Sequence, residues 1–148
     1  MPQPHAHALD RLPAWEPGTV AVLSTGAGPP HAIPVSTGVR AGDHRLLLAL
    51  ALRRESLARL REDPRCALTI LARGVACTAH GTAKVVQSPM TVSDKVAAVA
   101  IHVDSIQDHD QPRFAIEAGV RWAWTDADAA ARDHEIRAAL TALAQDDA

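Results

Sequence analysis

The chain has 148 residues and a formal charge of −2, with 47% hydrophobic, 22% charged and 3% aromatic side chains. That length suits one domain able to bury its own core, and the hydrophobic content excludes intrinsic disorder. A near-neutral chain with so few rings also lacks the basic surface and stacking platforms of a general nucleic-acid binder.

Residues 1–14 carry His, Pro and Asp rather than a long apolar run, so neither a secretory nor a membrane-spanning segment is expected. We expect a flexible arm over 1–14, a single domain over 15–148, a cytoplasmic location, and no membrane or nucleic-acid partner. Cys66 and Cys77 lie in apolar, strand-like runs and read as buried free thiols.

Gly18 opens a β-rich half. Residues 19–24 form a first apolar strand, and Gly26-Ala27-Gly28-Pro29-Pro30 is a strong turn signal. Residues 31–37 form a second strand with Ile33, Val35 and Thr37 on one face. Pro34 has no N–H to donate, which places this strand at an edge or a bulge. Ala41-Gly42-Asp43 reads as a hairpin turn, and residues 45–50 as the third strand.

The period then changes. Leu57 and Leu60, three apart among charged neighbours, predict a short amphipathic helix over 54–62, stopped by Pro64. Strands follow over 66–71 and 75–86, with Gly81 marking a bulge or bend. Ser88-Pro89 reads as a short helical turn, 96–103 as a sixth strand, 104–111 as a polar loop, and 114–124 as a last strand region. A terminal helix begins after Thr125 as N-cap, with Ala129, Ile136, Leu140 and Leu143 as its apolar stripe. Short strands with one internal and one terminal helix predict a mainly β protein, a closed or partly closed β-barrel with flanking helices.

Over residues 18–86 the order of these pieces resembles the flavin-binding split-barrel family of pyridoxamine 5′-phosphate oxidase. Gly18-Thr19-Val20-Ala21-Val22-Leu23-Ser24-Thr25 is similar to the family's first strand. Pro30-His31-Ala32-Ile33-Pro34-Val35-Ser36 resembles the strand that lies along the flavin ring. The helix 53–63 is followed by Pro64-Arg65-Cys66-Ala67-Leu68, similar to the family's "Pro-Arg-Val-Ala-Leu" start of a strand. His80-Gly81-Thr82-Ala83-Lys84-Val85-Val86 resembles its "Gly-x-Ala-x-Val" strand.

The resemblance implies a split β-barrel homodimer that binds flavin mononucleotide between two subunits and acts as an oxidoreductase on a small molecule. A flavin mononucleotide needs cationic or hydroxyl donors for its phosphate and an apolar wall for its ring. Region 40–65 holds seven Arg against Asp43, Glu55, Glu62 and Asp63, a local excess of positive charge. By resemblance the phosphate falls to Arg53, Arg54, Ser56 and Arg59. Ser56 stands where the family usually has Lys, and Arg59 where it often has Asn. The same arginines equally fit a solvated helix face. The ring falls to Pro34, Val35, Ser36, Leu50 and Ala51, of which Val35 and Leu50 equally fit plain core packing. Trp122 and Trp124, two apart, fit the flavin site, the dimer seam or the core. Arg113 and Arg121 are lesser candidates.

His5 and His7 lie in the expected arm and Asp108-His109-Asp110 in the expected polar loop, and His31, His80 and His102 are scattered without a second and third ligand at defined spacing, so no metal is expected. The alternatives are a deazaflavin-dependent oxidoreductase and a non-enzymatic barrel that binds flavin or haem. True vitamin B6 oxidation is a weaker fit.

Overall fold

The computed structural model describes residues 7–146. The elements are β1 (Ala21–Thr25), β2 (His31–Val35), β3 (Val39–Arg40), β4 (Arg45–Ala51), α1 (Glu55–Glu62), β5 (Arg65–Ala72), β6 (Val75–Gln87), β7 (Val96–Asp108) and α2 (Ala127–Asp146). The strands form one seven-stranded sheet in the order β2-β1-β5-β6-β7-β4-β3. All its pairings are antiparallel.

This order explains why the sheet curls. Laid flat, seven strands would hold β2 and β3 roughly 29 Å apart. Residues 36–38 are all that joins them, and the stretch from Val35 to Val39 reaches no more than about 14 Å. The sheet must therefore roll until its two edges approach. Thr37 helps pin the seam: the Ala49 N–H donates to its Oγ1 at 2.9 Å. Bending is concentrated in the long strands β6 and β7, whose register shifts at His80/Gly81 and Val85/Gln87. A Cβ on Gly81 would sit 2.1 Å from the His102 carbonyl oxygen, so only glycine allows that approach.

Two apolar cores result. Leu23, Leu46, Leu48, Leu50, Leu68, Ile70, Val99 and Ile101 fill the barrel. On the outside, Leu47, Ala98 and Ala100 meet Leu140 and Ala144 of α2. Strand β4 is thus buried on both faces, which accounts for its unbroken apolar run rather than an alternating one. Ala98 and Ala100 on β7 are small enough to let the helix approach.

Several expectations need correction. The segment expected as a loose arm is packed where it is described. Leu12 is buried, its N–H donates to the Asp43 carbonyl at 2.8 Å, and Leu9 N–H donates to Ile106 at 3.0 Å. The polar run 104–108 is not loop but the end of β7, paired with residues 77–80 of β6. Ladder bonding there outweighs the polar composition, because the outward side chains stay in water. Residues 114–124 are not a strand: they make single backbone contacts, such as Val20 N–H to the Val120 carbonyl at 2.8 Å. Ser88-Pro89 is a cis peptide in a turn rather than a helical start. Asp126, not Thr125, caps α2, its Oδ1 accepting from the Asp128 N–H at 3.0 Å.

Other readings hold. Pro34 does lie on an edge strand, since β2 ends the sheet. Helix α1 buries Leu57 and Leu60 as its spacing predicted. Cys66 and Cys77 are free and buried. No helix among the described residues is long and apolar enough to cross a membrane.

Candidate functional site

A groove of about 340 Å³ opens where the two edges of the rolled sheet come together. Its floor is the end of β2 with the residues after it (Ile33 to Thr37) and the end of β4 (Ala49 to Ala51). Arg54 and the β6–β7 turn, through Ser93, Lys95 and Val96, bound one side. Trp122 and Trp124 stand over it, and the first turns of α2 add Ala129, Arg132, Asp133 and Ile136. That volume lies in the range of small-molecule sites.

The floor is apolar because the barrel core reaches its surface there. Val35 and Leu50 belong to the barrel core and also line the groove, so both readings of these residues apply at once. The two indole rings lie 6.3 Å apart at 65°, an edge-to-face pair. Both stay nearly half exposed, 45% and 46%, which leaves ring surface for a ligand. They come from an extended segment, not from one strand face.

The charges are unevenly matched. Among the described residues, the side chains of Arg54, Lys95 and Arg132 make no hydrogen bond or ion pair. The groove's one carboxylate, Asp133, is 92% buried at the side chain (8% exposed) and committed to Arg137 at 2.9 Å. The groove is therefore cationic, over an apolar floor. Arg54 and Lys95 flank the same end, since Leu52 N–H donates to the Lys95 carbonyl at 2.9 Å.

Of the residues singled out in the sequence, Pro34, Val35, Ser36, Leu50, Ala51, Arg54, Trp122 and Trp124 meet in this groove. Arg53, Ser56 and Arg59 lie elsewhere. Arg53 is exposed outside it. Arg59 braces the β1–β2 turn, donating to the carbonyls of Ala27 and of Pro29 (2.8 Å), and pairs with Glu55 at 3.2 Å. Its guanidinium is spent on the fold, so it is no phosphate donor to the groove.

Ser56 is fully buried, with its Oγ 3.1 Å from His31 Nε2. His31 Nδ1 in turn lies 3.2 Å from Glu55 Oε2. The order hydroxyl, imidazole, carboxylate matches that of a nucleophilic triad. A serine with no exposed surface cannot meet a substrate, however, and the trio acts as a clasp between β2 and α1. The position expected to hold phosphate thus holds the helix in place instead.

Arg121 donates to the Pro17 carbonyl at 2.5 Å and pairs with Glu16 at 3.3 Å, outside the groove. Arg113 is exposed and also outside it. His5 lies outside the described residues. His109 is bonded to Thr78 Oγ1 at 2.7 Å. The described residues hold no cluster of metal-ligand side chains.

The sequence reading missed Ser93, Lys95, Arg132 and Asp133. A signal for Asp133 existed: it lies four residues after Ala129 and three before Ile136, in the middle of the apolar stripe of α2. An acid on an apolar stripe is buried and needs a partner. Nothing in the sequence marked Ser93 or Lys95, which arrive by a turn.

Burial pushes the thiols of Cys66 and Cys77 up to about 11, with nearby Asp104 and Asp108 adding to the effect. Neither lines the groove.

No protein-family model and no curated protein matches the sequence. Solved structures match in fold. A pyridoxamine 5′-phosphate oxidase-like protein from Listeria innocua is 15% identical, with a TM-score of 0.53 over 63% of this chain and 90% of that one. HupZ of Group A Streptococcus is 14% identical, with a TM-score of 0.52 over 71% and 90%. A haem-binding protein from Mycobacterium smegmatis is 18% identical, with a TM-score of 0.50 over 61% of this chain and 48% of that one. At such identities the likeness is one of architecture, and the chain has the split-barrel fold of the pyridoxamine 5′-phosphate oxidase-like proteins.

Proposed function

We propose that the groove binds flavin mononucleotide and that the protein is a flavin-dependent oxidoreductase acting on a small molecule. One observation carries this reading: an apolar floor and a tryptophan pair line one groove together with Arg54 and Lys95, two cations with no partner of their own. A flat apolar ring with an attached phosphate dianion matches that arrangement. When bound, the flavin would supply hydride or electron transfer. The chain's own residues would do the rest. Arg54 and Lys95 would hold the phosphate, residues 34–36 would offer backbone groups to the ring edge, and the indoles would exclude water.

Haem fits this groove less well, because among the described residues no His, Cys, Met or Tyr lines it to serve as axial ligand. A deazaflavin is the second reading. Its longer acidic tail suits the third unpaired cation, Arg132.

A homodimer belongs to the same reading. Phe114, Val120, Trp122 and Trp124 expose apolar surface along one segment, with Val120 68% exposed. A second copy would cover that surface and close the open side of the groove.

The test is titration of the purified protein with each cofactor, followed by flavin fluorescence and absorption. Micromolar binding of flavin mononucleotide supports the proposal. Preference for the deazaflavin selects the second reading, and binding of neither removes both. Light scattering of the eluting protein gives the mass, and a monomer at micromolar concentration would remove the dimer.

A further inference from the structure

The groove has more positive charge than one phosphate explains. Arg54 and Lys95 sit together at the end of β4, joined through the Leu52–Lys95 backbone bond. Arg132 enters from a separate element, α2. The acid beside it on that helix, Asp133, is already committed to Arg137 at 2.9 Å. Neither Asp128, four residues before Arg132, nor Glu135, three after it, pairs with it, although both spacings permit an ion pair. Arg132, exposed on α2, thus lines the same groove as the two indoles with a guanidinium that no side chain has taken up. Such a fork is suited to a bidentate oxyanion.

We propose that Arg132 is a specificity residue that binds the anionic group of the substrate, and that the substrate is a small molecule bearing a carboxylate or phosphate on a flat or apolar body. Arg132 takes this role on the reading that a flavin fills the rest of the groove. The ring of the substrate would lie against Trp122 and Trp124, and its oxyanion would meet Arg132. Asp133 cannot repel it, because Arg137 neutralises that carboxylate.

The probes are benzoate, phenyl phosphate and the neutral benzamide. Binding is read by tryptophan fluorescence on the cofactor-free chain and by the flavin spectrum on the loaded one. Either anion is expected to bind at least about tenfold more tightly than benzamide, the scale of one charge-assisted contact. The better anion identifies the group. Arg132→Gln should abolish the preference while flavin affinity changes less than about twofold, and Arg132→Lys should restore part of it. Thermal melting confirms that each variant folds.

Equal binding of benzamide, a preference that survives in Arg132→Gln, or no binding of any probe would overturn the proposal. So would a loss of flavin affinity as large as that of Arg54→Gln, which would give Arg132 to the cofactor. If the wild-type chain takes no flavin yet shows the Arg132-dependent preference by tryptophan fluorescence, the flavin reading fails and the anion site stands.

Discussion

Asp133 and Arg137, one turn apart on α2, join at 2.9 Å with the Asp133 side chain only 8% exposed. The Arg137 guanidinium also crowds Gly18, where a Cβ would lie 2.9 Å from Nη1 and 3.0 Å from Arg121 Nη2. Gly18 has φ +86°, a conformation that favours glycine. The pair thus packs the helix against Gly18, in the segment that precedes β1. It also removes from play the only acid that lines the groove among the described residues.

Replacing Asp133 leaves a partly buried guanidinium without its anion beside a second one. Asp133→Ala should lower stability by about 1–3 kcal/mol, read as a drop in denaturant midpoint. Removing both charges, as Asp133→Ala/Arg137→Leu, should recover part of the loss. A single variant as stable as wild type would show that the pair contributes nothing.

Arg54 and Arg59 lie five residues apart on or beside one helix, yet they should fail differently. Arg54→Ala should weaken flavin mononucleotide binding by about 1–3 kcal/mol and leave the melting temperature nearly unchanged. Arg59→Ala should do the reverse, since its bonds go to Ala27 and Pro29. Isothermal titration beside thermal melting separates the two, and equal flavin affinity in wild type and Arg54→Ala would take Arg54 out of the site.

The thiols set an alkaline limit. Their pKa values are raised from 9.0 to about 11 in the folded chain. Unfolded thiols ionise first, so the stability they contribute is complete below pH 9 and is lost as pH rises toward 11. The chain has no Tyr and two Lys, so few other groups titrate in that window. Chemical denaturation across pH 8 to 11 should show a falling midpoint, flatter in Cys66→Ala/Cys77→Ala. At pH 8 the native thiols should react with iodoacetamide far more slowly than after unfolding.

Among the glycines, Gly81 lies tightest against neighbouring backbone. A Cβ there would meet the His102 carbonyl at 2.1 Å, and backbone cannot move aside as a side chain can. Gly81→Ala should cost about 3 kcal/mol or more, or abolish soluble expression. Gly28→Ala is the control: its Cβ would meet nothing within 4 Å, so its only cost comes from φ +69°. A Gly81→Ala variant no less stable than Gly28→Ala would mean that the β6–β7 bulge relaxes easily.

Period and punctuation were enough to read most elements. Leu57 and Leu60 marked the buried face of α1, Pro34 marked an edge strand, and Gly81 marked a bulge, because each follows from local sterics or spacing. The ends of elements were less legible. Residues 104–108 are polar except for the buried Ile106, yet they complete β7, since their ladder partners on β6 lie far away in sequence. Leu12 looked like part of a loose arm because the groups that hold it, the Asp43 carbonyl and the Arg40 side chain, are also distant.

The sequence by itself determined that this is a mainly β chain with an arginine-rich strand-to-helix junction, two buried thiols and few rings, since composition and short-range period depend only on neighbours. The tertiary structure decided which of those residues share a site. Joining β2 to β3 through residues 36–38 rolls the sheet and brings the ends of β2 and β4 together. A long segment then carries Trp122 and Trp124 over them, and α2 supplies Arg132. Arg54 and Arg59 look alike in sequence, but the path of the β1–β2 turn spends one on backbone carbonyls and leaves the other facing the groove. Charge becomes available for binding only where the fold leaves it unpaired.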